Sequence, residues 1–451
     1  MSHDAMQLSE RARSLERGAE GVLPLPLRVC MLSLHTCPLA APGGKESGGM
    51  NVYVRELSRQ LGRRGVLVDN FTRSESADQP HIRNTDLGAN VRVIHVVCGP
   101  EAPVSKAETW RHAPAFVEGV EAFRRAEGLR YDVYHSHYWM SGWAAGRLAA
   151  AVPAPVVHMY HTLGAMKDLA AGPGAVPEIA PRRGVETEVA RGADCIVAAT
   201  PRDREQIVEH CRADPRRVEV VPPGVDLDLF RPVPPATAGA YVGHPPGHRM
   251  VLFVGRLDPI KGLDTLVRAM AIAVDREPSL RGHSCLCIVG GEKVEHPERL
   301  DAERARIGDL ARSLDLDDVL HFVGSVAQDD LPYYYSAAQV VVVPSRYESF
   351  GMVALEAMAT GAPVIASDVG GLSTLVRDGR TGFLVPDGDP AALAARLLPI
   401  LRDSALRQAL GRHGMATAEA YGWPVIAERI DRIYDRVVAG SADGWPRNWP
   451  V

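Results

Sequence analysis

Short apolar runs rich in β-branched residues recur along this chain, separated by stretches in which apolar positions return at helical spacing. Strands are predicted at residues 28–34, 66–72, 91–97, 133–135, 156–159, 195–199 and 218–221, with helices between several of them, among them one over 50–64. The pattern then breaks. Residues 222–226 (Pro-Pro-Gly-Val-Asp) and 232–246 are rich in Pro, Gly and Ala and read as a linker. It restarts with strands at 250–255, 285–289, 321–323, 340–343 and 364–366 and fades near Leu410, and 423–438 has the pattern of an amphipathic helix. Strands alternating with helices predict an α/β fold of two Rossmann-like, doubly wound parallel-sheet domains facing across a cleft, with ligands at the carboxyl edges of both sheets. The expected boundaries are a disordered extension over 1–26, a first domain over 27–231, a second over 232–415, a closing helix over 416–438 and a tail over 439–451.

Composition narrows the function classes. At 451 residues the chain exceeds one core, and 46% hydrophobic residues with a formal net charge of −5 describe a globular protein without a nucleic-acid-binding bias. No apolar run approaches the ~20 residues needed to span a bilayer, and the N-terminus lacks the apolar core of a signal peptide, so a cytoplasmic location is expected. The seven cysteines are scattered without a CxxC pair, and Cys285 and Cys287, at strand spacing, read as buried packing rather than a disulfide or metal site.

Residues 344–371 carry the densest chemistry. Val340–Val343 reads as a buried parallel strand, Ser345 to Ser349 as a polar loop carrying Glu348, and a helix is expected to start near Phe350 and to end before Gly361-Ala362-Pro363. Glu348 and Glu356 have seven residues between them, which at helical rise puts their backbones up to roughly 12 Å apart. A retaining glycosidase needs its carboxyls at about 5 to 5.5 Å, so this pair does not suit an acid and nucleophile couple. It suits two hydroxylated rings held apart by a diphosphate that rests on helix N-terminal amides, the layout of a nucleotide sugar. A helix-capping Glu348 with a solvated Glu356 is the plain alternative.

Arg256 and Lys261, in Gly-Arg-Leu-Asp-Pro-Ile-Lys-Gly just beyond the first strand of the second domain, are placed to clamp that diphosphate and to stabilise it as a leaving group. The glycine loop at 43–49 offers amides to an anion but is neither a Walker A nor a GxGxxG sequence. Arg55, Arg59, Arg63 and Arg64 on the following helix read as a solvated face rather than a membrane grip. His135, His137, His158 and His161 fall near strand ends; without HExxH spacing or a cysteine partner they read as hydrogen-bonding groups rather than a zinc site. Tyr138 and Trp139 read as packing, with the tyrosine hydroxyl able to reach a cleft.

With these motifs in place, the chain resembles the GT-B-fold retaining glycosyltransferases of family four over about residues 27–438. The matching elements are the Glu348 and Glu356 pair, Gly255-Arg256 to Lys261-Gly262, and Pro223-Gly224-Val225-Asp226. The first domain is most similar to the inositol-phosphate N-acetylglucosaminyltransferases of mycothiol biosynthesis, through residues 35–39, 48–54, 135–142 and 161–163. The resemblance implies that Gly49, Arg256 and Lys261 contact the donor diphosphate, Glu348 the sugar hydroxyls and Glu356 the ribose. His161 would stand near the reacting centre, and Ser349, Phe350 and Gly351 would complete the donor site. Asn51, Lys106, Tyr138, Thr162 and Arg182 would hold a phosphorylated acceptor, a chemistry that Lys, Arg and hydroxyls suit.

The reaction implied is hexosyl transfer, of N-acetylglucosamine or glucose, from a UDP-sugar to a small phosphorylated acceptor such as inositol phosphate, with retention by a front-face route. No further cofactor is implied, and Mg2+ is not expected to be essential because Arg256, Lys261 and helix N-termini supply positive charge. No nucleic-acid partner and no metal site are expected, and a homodimer is compatible with the sequence. The Tyr333-Tyr334-Tyr335 and Ser345-Arg346-Tyr347-Glu348 stretches drift towards the sucrose-phosphate synthases, which keeps fructose 6-phosphate open as acceptor. A lipid acceptor at a membrane surface and a non-catalytic sugar-nucleotide binder are the remaining alternatives.

Overall fold

The computed structural model describes residues 26–40, 48–84, 87–170, 178–291, 302–441 and 449. The expected N-terminal extension therefore lies, up to residue 25, outside the described residues, as do 43–47 of the glycine loop and 442–448 of the expected tail.

Two open sheets carry the chain. The first comprises β1 (Arg28–Leu32), β2 (Leu67–Arg73), β3 (Ile82–Asn84), β4 (Val91–Val96), β5 (Val133–His137), β6 (Val156–Met159), β7 (Cys195–Ala198) and β8 (Val218–Val220), in the order β3-β4-β2-β1-β5-β6-β7-β8. The second comprises β9 (Arg249–Val254), β10 (Ser284–Val289), β11 (Leu320–Gly324), β12 (Val340–Val343), β13 (Val364–Ser367) and β14 (Gly382–Val385), in the order β11-β10-β9-β12-β13-β14. Every neighbouring pair is parallel except the edge hairpin of β3 and β4. Helices cover the faces of the parallel strands, so strands such as Val340–Val343 are buried throughout and read as unbroken apolar runs. The two strands that periodicity misses, β3 and β14, are short and lie at sheet edges, where fewer side chains need burial.

Strand order fixes where ligands can sit. In the first sheet β1 lies between β2 and β5, and in the second β9 lies between β10 and β12, so each sheet reverses its winding there and opens a crevice at its carboxyl edge. The loops after β1, β5 and β6 face that crevice on one side, and those after β9 and β12 on the other. This is the GT-B arrangement.

Two expectations change in detail. The 232–246 segment is not bare linker: Pro235–Tyr241 is helical, and Tyr241 stacks on Tyr333 at 3.9 Å while its hydroxyl donates to Asp330 Oδ1 at 2.6 Å. The closing helix, Trp423–Ser441, runs past residue 438 and returns to the first sheet. There Arg64 pairs with Asp431 at 2.9 Å and Tyr434 bonds His135 Nδ1 at 2.6 Å. The outgoing and returning chains run side by side, with Val225 N donating to Tyr421 O at 2.8 Å and Gly224 so near Trp423 that a Cβ would lie 2.6 Å from the indole.

Candidate active site

The strand Val340–Val343 ends in a loop that delivers Glu348, and the helix that follows begins at Met352, two residues later than the sequence suggests. Gly351 causes the delay: it occupies the left-handed region at φ +106, which ends the loop before helical geometry begins. The loop is pinned from behind by Gly370 and Gly371. A Cβ on Gly370 (φ +48) would lie 2.0 Å from Glu348 O, and Gly371 N donates to that same oxygen at 2.8 Å. The Gly-Gly pair that closes the motif is thus what lets Glu348 approach.

Glu348 and Glu356 face different spaces. Glu348 accepts from Lys261 Nζ at 2.6 Å and lines a cleft that is also lined by Asn51, Lys106, Tyr138, His161 and Thr162. Glu356 accepts from the Tyr335 hydroxyl at 2.7 Å and lines an adjoining space with Gly255, Gly290, Ser325 and Gln328. Burial pushes the Glu356 carboxyl up to about 7, with the Tyr335 hydroxyl pulling the other way. Gly48, Gly49, Arg256, Lys261, Met352 and Val353 line both spaces. Two cations and the N-terminus of the helix Gly49–Arg63 therefore stand between two carboxylates, with the start of the helix Met352–Ala359 alongside. Positive charge and helix N-terminal amides thus lie on the wall that the two spaces share, with one carboxylate in each space.

Ser349, Phe350 and Gly351 line the larger cleft beside Glu348. Across it, Asn51 bridges Thr36 Oγ1 at 2.6 Å and Cys37 O at 2.7 Å and accepts from Gly48 N, which fixes the loop after β1 against the glycines. Arg182 is the exception among the expected acceptor residues. It does not line the cleft but sits behind it, 0% exposed, donating to Glu186 at 2.7 Å, the Tyr138 hydroxyl at 3.1 Å and Thr162 O at 2.6 Å. Burial works against its charge, but Tyr138, Glu186 and Glu178 more than offset that and raise its pKa. Its fork holds Tyr138 and Thr162 in place.

His135, His137 and His158 are buried, and His161 stands half-buried beside them. His161 Nε2 and His137 Nδ1 share a proton at 3.0 Å, His137 Nε2 lies 2.9 Å from Met31 Sδ, and His158 Nδ1 bonds Ser136 at 2.8 Å. Burial pushes His161 and His135 down to about 3, so both rings are neutral near pH 7. His161 and Tyr138 are two of the four non-glycine residues with positive φ among the described residues, and both end strands at the cleft. Such strain concentrates where geometry is held for a ligand.

Lys167 and His35 are among the cleft residues with no expected role from sequence. Lys167, from the short helix Gly164–Ala170, pairs with Glu178 at 2.8 Å, and His35 Nδ1 is buried with no hydrogen-bond partner among the described residues. His35 stands in a conspicuous stretch after β1, but no spacing singles out its ring. Three of the four arginines of Gly49–Arg63 and its cap are engaged within the fold, Arg55 with Glu56 and Gln328, Arg59 with Glu56, and Arg64 with Asp431, while Arg63 is exposed. Among the described residues, no helix is long and apolar enough to cross a membrane.

Known proteins match this layout. The family description "Glycosyltransferase Family 4" matches residues 47–229 and "Glycosyl transferases group 1" residues 240–416. The D-inositol 3-phosphate glycosyltransferase of Kineococcus radiotolerans is 42% identical over 428 residues, covering 92% of this chain and 96% of that protein. Its namesake from Streptomyces scabiei is 40% identical over 442 residues, with 96% of each chain covered. Among solved structures, sucrose-phosphate synthase from Thermosynechococcus elongatus superposes with a TM-score of 0.84 at 36% identity, over 92% of this chain and 100% of that one. Anabaena HepE in complex with UDP and glucose shares the fold, with a TM-score of 0.69 at 18% identity over 91% of this chain and 100% of that one.

Proposed function

The chain belongs to the group 1, family 4 glycosyltransferases and is a hexosyltransferase, and we propose that it moves N-acetylglucosamine or glucose from a UDP-sugar to a hydroxyl of inositol phosphate. One observation carries the donor half: Arg256, Lys261 and Gly49 line both spaces, while Glu348 and Glu356 each line only one. A diphosphate on the shared wall directs the hexose to Glu348 and the ribose to Glu356. The carboxylates accept from ring hydroxyls, and the cations take up the charge that grows on the leaving diphosphate.

The acceptor half rests on Lys106, Tyr138, Thr162 and Asn51, with Lys167 as a further cation and Arg182 as the group that positions Tyr138 and Thr162. In the reaction, the bond from the sugar's anomeric carbon to the diphosphate oxygen breaks and a bond to the acceptor oxygen forms on the same face. The acceptor hydroxyl's proton passes to the departing phosphate oxygen, so UDP leaves. Neutral His161 has hydrogen-bonding capacity for a sugar hydroxyl but no charge to offer. A divalent cation is not assigned a step, because Arg256 and Lys261 occupy the place where its charge would act.

A second acceptor is favoured by a specific observation. The 36% identity to a sucrose-phosphate synthase over 92% of the chain supports fructose 6-phosphate, whose phosphate suits the same cations. Incubating the protein with UDP-N-acetylglucosamine, UDP-glucose or GDP-mannose, against inositol phosphate or fructose 6-phosphate, and measuring released nucleotide separates these readings. UDP release that depends on inositol phosphate is expected. Release with fructose 6-phosphate alone selects the second reading, and no acceptor-dependent release with either sinks both.

A further inference from the structure

At the opposite end of the second sheet from the cleft, three side chains converge: His244 in the segment leading into β9, His248 just before β9, and Cys285 at the start of β10. One ligand-capable atom from each lies within 4.8 Å of the other two. We propose that His244, His248 and Cys285 form a zinc site that clamps the interdomain segment to the base of the second sheet.

The chemistry of the three groups points there. His244 Nε2 lies 3.0 Å from His248 O, and since a carbonyl only accepts, that nitrogen carries the ring proton. The tautomer leaves Nδ1 with a free lone pair, and it faces Cys285 Sγ at 3.9 Å. That separation is long for a strong hydrogen bond. It is close to the ~3.5 Å expected across a tetrahedral ion with Zn–N near 2.0 Å and Zn–S near 2.3 Å. His248 Nδ1 is buried and has no hydrogen-bond partner among the described residues, an arrangement that costs free energy unless something binds it. The backbone carbonyl orienting His244 is the outer partner that metal-bound histidines characteristically have. Two imidazoles and one thiolate suit zinc better than calcium or magnesium, which take oxygen ligands. On binding, the Cys285 thiol releases its proton to solvent, and water completes the fourth position.

The site stands apart from the donor and acceptor residues, so its role is to hold structure rather than to catalyse. It would fasten the chain entering the second domain to β9 and β10, the strands that lead to Arg256 and Gly290.

The test uses full-length protein without a histidine tag, stripped of metal and titrated with Co2+ as a spectroscopic stand-in and then with Zn2+. One equivalent of Co2+ is expected to give visible ligand-field bands and a near-ultraviolet thiolate charge-transfer band, both displaced by Zn2+. In Cys285→Ser the charge-transfer band disappears, and in His248→Asn affinity falls about tenfold or more, while sugar transfer at saturating donor is retained in both. A Zn2+-dependent rise in melting temperature, lost in both variants, is expected as well. A charge-transfer band that survives in Cys285→Ser, or wild-type protein that binds no Co2+ with thiolate character, overturns the proposal.

Discussion

Lys261 Nζ lies 2.6 Å from Glu348 Oε2, joining residues 87 positions apart at the wall shared by the two halves of the cleft. One comes from the loop after β9 and the other from the loop after β12, the two strands that flank the reversal of the second sheet. On the proposed reading, the pair holds the cation for the diphosphate and the carboxylate for the sugar against each other. Lys261→Ala and Glu348→Gln are each expected to lower kcat about 100-fold or more with the fold intact, the scale seen when one preorganised charge-stabilising group is removed. Steady-state turnover alongside circular dichroism checks this, and wild-type turnover in both folded variants would remove these residues from the site.

Glu356 predicts a pH dependence for donor binding. Its folded-state carboxyl is raised to about 7, so it ionises as pH climbs through neutrality, and only the carboxylate can accept from both ribose hydroxyls. The donor KM is expected to rise as pH falls below about 7. Tyr335→Phe removes the hydrogen bond that lowers this pKa, so the inflection should move to higher pH. A KM profile flat between pH 6 and 8 in both proteins would contradict the assignment.

If Tyr138 and Thr162 hold the acceptor as proposed, Arg182 couples its recognition to stability. Arg182→Met strands Glu186 beneath Tyr138 and is expected to cost about 3–5 kcal/mol, the usual consequence of leaving one partner of a buried pair. The double variant Arg182→Met, Glu186→Leu should regain much of that stability but keep a raised acceptor KM, because Tyr138 and Thr162 still lack their clamp. Chemical denaturation and acceptor titrations on the two proteins distinguish a positioning role from a purely structural one.

Gly370→Ala places a Cβ on Glu348 O at a backbone φ of +48 that disfavours side chains. The loop must shift, carrying Glu348 with it, and kcat/KM should fall about tenfold or more while the melting temperature changes little. A crystal structure of the variant with Glu348 undisplaced and full activity would argue against the link.

Acid should unfold this protein earlier than its charge suggests. Burial holds His135, His137, His158 and His161 below the ordinary 6.5, so these imidazoles protonate in the unfolded chain first, and their contribution to stability is present above pH 6.5 and lost as pH falls. Asp203 and Glu356, both raised to about 7, act in the opposite direction between pH 4 and 7. His35, His95 and His248 are held low by burial as well, while Glu186 and Asp387 are raised, so the lowered imidazoles still outnumber the raised carboxyls and unfolding takes up protons on balance as pH falls. Urea midpoints measured from pH 7 to 5 should drop steadily, and a constant midpoint would show that the rings titrate normally.

Much of this molecule was already legible in its residues. Periodicity locates twelve of the fourteen strands among the described residues, because parallel strands buried on both faces must be written as apolar runs. The spacing of Glu348 and Glu356 placed the pair on a loop and a helix, since rise per residue is a local property. The family resemblance implies that Arg182 holds the acceptor, whereas the fold puts Arg182 behind the cleft. Its three hydrogen-bond partners come from the loops after β5 and β6 and from its own helix, and no local pattern reports which side of a wall a side chain occupies.

Local rules therefore determined the elements, the two-sheet architecture and the motif at 344–371. Tertiary structure alone decided that Lys261 meets Glu348, that Glu356 is buried against Tyr335, and that Cys285, which reads as packing in sequence, meets His244 and His248. The reason is physical. Contacts between loops depend on how strands are ordered in a sheet and how two sheets face each other, and strand order is set by packing of the whole domain rather than by neighbours in the chain.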